Sequence, residues 1–258
     1  MGRFSGFDGR VAIVTGGGYG IGAAAAKELA EWDAKVVVAD LRREQVDTVV
    51  DEIRSAGGEA TGFLMNIASE EDNQAAVEFA VETYGGLHLA VNSAGYAREA
   101  ETLGTYSISE WDRLISSNLN GVAYAMRYQL EQFMDQERTS QCAIVNISSI
   151  HGQLGVKGNA AYSAAKHGIV GLTKSAALEY ASKAIRINSV SPAFVRGALI
   201  STSMDEKDVA DTVNRHPLGR LGTPAEVAPL IRFLLSKDAS YITGSDHPVD
   251  GGYTAGVS

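Results

Sequence analysis

The chain has 258 residues, of which 45% are hydrophobic and 21% charged, and its formal net charge is -9 at pH 7. This acidic balance disfavours nucleic acid and anionic membrane surfaces as partners, because both carry negative charge themselves. The single cysteine, Cys142, excludes a disulfide within the chain, so we expect a cytoplasmic protein. We expect no secretory signal in MGRFSGFDGR, and no membrane span, because no apolar run approaches about 20 residues.

Short β-branched apolar segments alternate with longer segments of helical periodicity along the chain. The predicted strands, in chain order, are RVAIVTG, KVVVAD, ATGFLMN, LHLAVNSAG, CAIVNISS, AIRINSVSP and DHPVDGG. Between them, SISEWDRLISSNLNGVAYAMRYQLEQFMDQ is predicted to be one long helix and AAYSAAKHGIVGLTKSAALEY another. The alternation predicts an α/β fold in a single domain over residues 1–258. We expect a Rossmann-like, doubly wound sheet of about seven parallel strands with helices on both faces.

One long irregular segment, residues 198–217, separates the sixth predicted strand from the next helix. Its sequence, ALISTSMDEKDVADTVNRHP, is polar. Ligands of doubly wound sheets bind beyond the carboxyl ends of the strands, so the position of this segment predicts a substrate lid. A surface loop with a short helix is the alternative interpretation.

A glycine-rich turn, TGGGYGIG, joins the first strand to the first helix and contains Gly16, Gly20 and Gly22. Glycine permits a tight turn, close approach of the backbone to a pyrophosphate, and close packing of helix on sheet. The amides at the start of the helix, including that of Ile21, can hold the phosphate charge. Between a strand and a helix, this pattern predicts a dinucleotide-binding site.

The second predicted strand ends in Asp40, eighteen residues after Gly22. A carboxylate at this position accepts hydrogen bonds from the adenosine ribose hydroxyls and repels a 2′-phosphate, so Asp40 predicts NAD(H) rather than NADP(H). Arg42 and Arg43 follow, and they would hold a 2′-phosphate if they folded back. We expect them instead to begin a helix and to point to solvent.

Tyr162 and Lys166 lie one helical turn apart in the helix after the fifth strand. Residues at i and i+4 share a helix face, with Cβ atoms about 5–6 Å apart. A pair of this kind also arises by chance, so it is weak evidence alone. Its neighbours strengthen it: Ser149 lies just beyond the fifth strand in VNISSIHG, thirteen residues before Tyr162, and Asn118 lies in SSNLNG. Of the two adjacent serines, this spacing favours Ser149 over Ser148.

Together these residues resemble the short-chain dehydrogenase/reductase family in its compact single-domain form. The resemblance runs over essentially the whole chain, through TGGGYGIG, VNSAG, SSNLNG, VNISSIHG, YSAAK, SVSP, HPLGRLGTPAEVA and YITGSDHPVDGG. It implies a tetrad in which Tyr162 is the general acid/base and Lys166 lowers the pKa of Tyr162 and binds the nicotinamide ribose. It further implies that Ser149 holds the substrate oxygen and that Asn118 anchors a water of the proton relay.

The resemblance also implies which residues contact the cofactor. Beside the ribose and the nicotinamide, it places Asn92, Ala94 and Gly95, together with the tetrad's Tyr162 and Lys166. The other expected contacts are Gly16, Gly20, Ile21, Gly22, Asp40, Leu41, Asn66, Ile67 and Val195.

Two places depart from the family pattern. Asn66 stands where the family often has an acidic residue near the adenine. After the sixth strand, Ala193 and Gly197 replace the usual glycine and threonine, which leaves the backbone of Val195 as the expected contact to the carboxamide.

We therefore expect an oxidoreductase that transfers a hydride between NAD(H) and a small secondary alcohol or ketone. The residues expected to contact the substrate are Ser149, His151, Tyr162 and Phe194. The histidines lack metal-ligand spacing, so we expect no metal site. The resemblance further implies a homotetramer.

Two alternatives remain open. One is an NADPH-dependent ketone or 3-oxoacyl reductase of the same family, although the acidic sequence MDEKDVAD disfavours docking of an acidic carrier protein. The other is a catalytically inactive, cofactor-binding regulator, for which a damaged tetrad would be expected, whereas all four tetrad residues are present.

Overall fold

The computed structural model describes residues 6–137, 139–197 and 206–256. Within them, seven parallel strands form one sheet in the order β3-β2-β1-β4-β5-β6-β7. The strands are β1 (Val11–Thr15), β2 (Lys35–Asp40), β3 (Glu59–Leu64), β4 (Leu89–Asn92), β5 (Ala143–Ile147), β6 (Arg186–Pro192) and β7 (Asp246–Val249). The predicted fold class, a doubly wound parallel sheet, is confirmed.

Helices cover both faces of this sheet. The described α-helices are α1 (Gly20–Glu31), α2 (Arg43–Ser55), α3 (Glu70–Tyr84), α4 (Ile108–Ile115), α5 (Gly121–Met134), α6 (Ala160–Tyr180), α7 (Glu206–Asn214) and α8 (Pro224–Leu235). Helices α1, α2 and α8 share one hydrophobic core cluster with the sheet, and α3, α5 and α6 share a second cluster. The protein is therefore a three-layer sandwich.

Strand β1 illustrates why the apolar runs become buried strands. All five of its residues are buried. Ala12 and Val14 belong to the core under α1 and α8, whereas Val11 and Ile13 belong to the core under α3 and α5. Successive side chains of a strand point to opposite faces, so a strand covered on both sides needs an uninterrupted apolar sequence.

The predicted long helix after β4 is helical from Ile108 to Met134, but one of its turns is wider than the regular α-helical spacing. A π-helical turn, Ser116–Asn120, separates α4 from α5. Such single wide turns are frequent at functional sites, because they rotate one side chain out of the regular helical spacing. Here the turn contains the tetrad residue Asn118, whose side chain is fully buried.

The strand order reverses between β1 and β4, which opens a crevice at the carboxyl edge of the sheet. Of the predicted lid, residues 198–205 lie outside the described part of the chain, and Glu206–Asn214 form α7. No helix in the described ranges has both the length and the apolar character that crossing a membrane requires.

Candidate active site

The glycine turn leaves no room for a side chain at Gly16 or at Gly22. Gly16 and Gly20 have φ angles of 66° and 58°, in the left-handed region that favours glycine. A Cβ atom built on Gly16 would lie 2.7 Å from the backbone nitrogen of Ala94, and one built on Gly22 would overlap the carbonyl oxygen of Gly16. The turn thus packs directly against the loop after β4, as the dinucleotide-binding prediction requires.

The turn ends at the amino terminus of α1, and this end suits an anion. Tyr19 occupies the capping position without a side-chain capping hydrogen bond, and no acidic residue lies in the first helical turn. Backbone N–H groups at a helix start, with the positive end of the helix dipole, attract phosphate. Together with the close-packed glycines, this geometry fits the pyrophosphate of a dinucleotide.

Asp40 is held against the glycine turn. Its Oδ2 accepts a hydrogen bond from the backbone N–H of Gly18 at 3.0 Å, and its Oδ1 accepts one from the N–H of Leu41 at 2.7 Å. Arg43 begins α2, and both Arg42 and Arg43 are exposed, as the sequence predicted. The carboxylate is therefore the fixed charge at this end of the crevice, and the guanidinium groups lie on the solvent side.

Asn92, which is expected beside the ribose, has its side chain buried in the core. Its side chain is buried, exchanging hydrogen bonds of 3.0 and 2.8 Å with Gln129 and donating to Asn146 at 2.9 Å. Asn146 in turn donates to the hydroxyl of Thr173 at 2.9 Å. Partners on α5, β5 and α6 thus hold this amide inside the core, so only the backbone of Asn92 can face the crevice.

The loop after β3 is the expected position of the adenine. Asn66 is exposed, and its Oδ1 accepts a hydrogen bond from the N–H of Ala68 at 3.1 Å. The N–H of Asn66 donates to Asp72 at 2.7 Å, which ties this loop to the start of α3. Ile67 is buried and Leu41 is 67% exposed, so these two predicted contacts lie in opposite environments.

Asn118 binds the loop after β4 through its amide. Its Nδ2 donates to the carbonyl oxygens of Tyr96 and Leu114 at 3.0 and 3.1 Å, and its Oδ1 accepts from the N–H of Tyr96 at 3.2 Å. A Cβ atom on Gly95 would lie 2.5 Å from that Oδ1. The side chain therefore fixes the backbone of Gly95 and Tyr96, a contact that sequence reasoning missed because backbone atoms leave no residue-type signal.

The two serines after β5 have different partners. The hydroxyl of Ser148 donates to the carbonyl oxygen of Lys166 at 3.0 Å, so it ties the loop to α6. Ser149 accepts a hydrogen bond from the N–H of His151 at 3.3 Å and is hydrogen-bonded to Tyr162. The structure therefore places Ser149, rather than Ser148, at the phenol.

Tyr162 and Lys166 share the inner face of α6. The Nζ of Lys166 donates to the carbonyl oxygen of Ile147 at 2.9 Å and lies 5.4 Å from the centre of the Tyr162 ring. The side chain of Lys166 is buried, whereas Tyr162 is partly buried. The ammonium group is thus anchored at the carboxyl end of β5, beside Ser149.

The pKa values of this pair differ from the expectation. Burial raises the pKa of Tyr162 to about 12, and the hydrogen bond with Ser149 opposes this shift without reversing it. Burial also lowers the pKa of Lys166 to about 8. The expected lowering of the pKa of Tyr162 by Lys166 is not found, because removal from water disfavours the charged form of both groups.

The other two predicted substrate residues lie in different surroundings. The ring of His151 contacts that of Tyr162 edge-on, with centroids 5.1 Å apart and an interplanar angle of 79°. The ring of Phe194 packs 5.9 Å from His216 and 6.0 Å from Tyr253, beside a cavity of about 250 Å³. The structure therefore unites Ser149, His151, Tyr162 and Lys166, and it places Phe194 in a separate aromatic cluster.

The chain is similar to known dehydrogenases and reductases over nearly its whole length. A family model described as enoyl-(acyl carrier protein) reductase matches residues 16–254. The chain is 48% identical over 249 residues to cyclohexanol dehydrogenase of Acinetobacter sp. (strain SE19), with 96% of each chain covered. It is 39% identical over 246 residues to cis-4-hydroxycyclohexanecarboxylate dehydrogenase of Sinomonas cyclohexanicum, covering 95% of this chain and 97% of that protein. The crystal structure of levodione reductase matches with a TM-score of 0.93 at 30% identity, covering 97% of this chain and 100% of the other.

Proposed function

The chain belongs to the short-chain dehydrogenase/reductase family, and on that premise we propose that it is an NAD(H)-dependent dehydrogenase of small cyclic secondary alcohols. Two relatives are named as dehydrogenases of cyclohexanol and of cis-4-hydroxycyclohexanecarboxylate, both of which contain a cyclohexane ring, and one structural neighbour is named levodione reductase. The observation that carries the proposal is the cluster of Ser149, Tyr162 and Lys166 at the carboxyl end of β5.

The chemistry assigns one role to each side chain. Bound NAD⁺ would supply the hydride acceptor, held by the glycine turn and Asp40. Tyr162 takes the proton from the alcohol during oxidation and returns it to the oxygen during reduction. Ser149 donates a hydrogen bond to that same oxygen, where negative charge develops.

Lys166 and Asn118 support the proton transfer. Burial outweighs any effect of Lys166 on the pKa of Tyr162. We propose that the ammonium, anchored on Ile147, stabilises the phenolate that forms during proton transfer. With a pKa of about 8, Lys166 is mostly cationic at neutral pH. Asn118 fixes the loop that follows β4, and we propose that it also anchors the water through which the proton reaches solvent.

The preference for NAD(H) over NADP(H) rests on Asp40. A 2′-phosphate would approach a carboxylate that already accepts two backbone hydrogen bonds and cannot move away without losing them. Comparing kcat/KM with NADH and with NADPH tests this point. A preference for NADPH would support the alternative, a ketone or 3-oxoacyl reductase.

A panel of alcohols tests the proposed function. Purified protein is incubated with NAD⁺ and cyclohexanol, cyclopentanol, 2-butanol or ethanol, and NADH formation is followed by absorbance. We expect cyclohexanol to give the highest kcat/KM and ethanol the lowest. Binding of NADH without turnover of any alcohol or ketone would favour the inactive regulator.

We also propose a homotetramer. On α6, Leu178 is 83% exposed although it is apolar, and a Cβ atom on Gly171 of the same helix would meet no neighbour within 4 Å. An exposed apolar side chain beside an uncrowded glycine suits close approach of another helix. Light scattering coupled to size-exclusion chromatography would give the mass of the assembly.

A further inference from the structure

His151 contains a buried polar atom that packing alone does not explain. Its side chain is 8% exposed, and its Nδ1 is buried without a hydrogen-bond partner among the described residues. A buried, unpaired polar group costs about 1–3 kcal/mol. A phenylalanine would give Tyr162 the same kind of edge-on ring contact without that cost, so the imidazole needs another reason to be there.

The lack of a hydrogen-bond partner at Nδ1 indicates which nitrogen of the His151 ring carries the proton. Burial lowers the pKa of His151 to about 4, and the nearby Lys166 and His167 lower it further, so the imidazole is neutral at pH 7. A proton on Nδ1 would bury an N–H donor with no acceptor, which is less tolerable than a buried lone pair. The proton therefore belongs on Nε2, which is not among the buried, unpartnered atoms.

The reacting oxygen has no need of this third donor. A ketone oxygen offers two lone pairs, and in the reduction direction the hydroxyls of Ser149 and Tyr162 occupy both of them. In the oxidation direction, the alcohol oxygen accepts a hydrogen bond from Ser149 and donates its own proton to Tyr162. An N–H group on His151, two residues from Ser149 and in ring contact with Tyr162, is left for another acceptor on the same small molecule.

We propose that His151 is a specificity-determining residue whose Nε2–H donates a hydrogen bond to a second oxygen on the substrate ring. The inference rests on the proposed function and extends it: the preferred substrates are cyclic alcohols that carry another hydroxyl or keto group. A ring with one oxygen leaves this donor unpaired in the site, whereas a ring with a second oxygen pairs it. The site therefore discriminates between these two kinds of ring.

The test uses cyclohexanol and the 1,2-, 1,3- and 1,4-cyclohexanediols with NAD⁺. In the wild type, at least one diol is expected to give a kcat/KM about tenfold above that of cyclohexanol. His151→Phe keeps the ring contact and removes the donor. It should abolish this advantage, so that the ratio of kcat/KM for the diol to kcat/KM for cyclohexanol falls about tenfold, to near one.

Two further variants separate hydrogen bonding from packing. A glutamine amide nitrogen reaches about as far as Nε2, whereas an asparagine amide corresponds to Nδ1. His151→Gln should therefore restore the preference for the diol, and His151→Asn should not. If His151→Phe does not fold, as judged by circular dichroism, the comparison of these two variants still decides the question.

The outcomes distinguish this inference from the proposed function. A wild type that oxidises cyclohexanol as well as every diol overturns the inference alone. So does an equal loss on all substrates in His151→Phe, or equal behaviour of the Gln and Asn variants. A wild type that oxidises neither cyclohexanol nor any diol overturns the proposed function, and the inference with it.

Discussion

The two halves of the crevice present their functional groups in different ways. At the ends of β1 and β2, close backbone packing at Gly16 and Gly22 shapes the site, and Asp40 is fixed by backbone N–H groups. At the ends of β4 and β5, buried side chains shape it, notably Asn118 and Lys166. The first half of the crevice needs close backbone packing and one carboxylate, whereas the second half needs side chains that hold and transfer a proton. Substitutions in the first half should therefore change stability and cofactor binding, whereas substitutions in the second half should change turnover.

The largest effect is expected in the second half. Tyr162→Phe removes the proton donor and acceptor but keeps the ring, so kcat should fall about 10³-fold in both directions. The Kd for NADH should change less than about threefold, because the glycine turn is untouched. Stopped-flow turnover and fluorescence titration measure the two quantities. Retained turnover would contradict the role of Tyr162.

The next largest effect is a dependence on pH. The pKa of Tyr162, raised to about 12, keeps the phenol protonated at neutral pH, so alcohol oxidation must use the small phenolate fraction. From pH 6 to 8, kcat/KM for oxidation should rise about tenfold per unit, whereas kcat/KM for reduction stays nearly constant. Binding of NADH, measured over the same range, is the control. An oxidation rate independent of pH would show that Tyr162 is not the proton acceptor.

A smaller effect is expected from a methyl group in the first half. Gly22→Ala places a Cβ atom against the carbonyl oxygen of Gly16, so the free energy of unfolding should fall by about 1–3 kcal/mol, with weaker NADH binding. Gly104→Ala is the matched control, because its Cβ atom would meet no neighbour within 4 Å and its φ lies outside the left-handed region. The control should be stabilised by up to about 1 kcal/mol. Urea unfolding compares the two, and equal stabilities would refute the packing argument.

The smallest effect is expected from the fixed charge. Asp40→Ser removes the carboxylate but keeps a hydroxyl, so the ratio of kcat/KM for NADH to that for NADPH should fall about tenfold. The kcat with saturating NADH should remain close to wild type, since the proton-transfer groups lie in the other half. An unchanged cofactor ratio would show that Asp40 does not set the preference.

Much of the fold could be predicted because its signals are local. Helix α6 spans Ala160–Tyr180, the same stretch that helical periodicity marked, and the glycine turn lies between β1 and α1 as expected. Spacing in the chain also placed Ser149 next to Tyr162. In each case, a short sequence determines its own conformation, and the parallel strands bring their carboxyl ends to one edge.

The failures involve partners that are distant in sequence. The partners that bury the Asn92 side chain, Gln129 and Asn146, lie 37 and 54 residues further along the chain. The π-helical turn around Asn118 lies within one continuous helical segment, and helical periodicity does not distinguish it from a regular turn. The direction of the Tyr162 pKa shift depends on how much water the fold removes, and residue types alone do not give that quantity.

The buried pair of Asn92 and Asn146 has a consequence for the alignment of the sheet. The two residues lie opposite each other in the parallel pairing of β4 with β5, and their amides are joined by a hydrogen bond of 2.9 Å. A shift of one residue would leave each amide facing an apolar neighbour in the core, at a cost of about 1–3 kcal/mol for each unpaired group. These two paired amides thus favour the native register of β4 against β5. The relative height of β4 and β5, and with it the distance from the loop at Gly95 to the ammonium of Lys166, is set by residues that never touch a substrate.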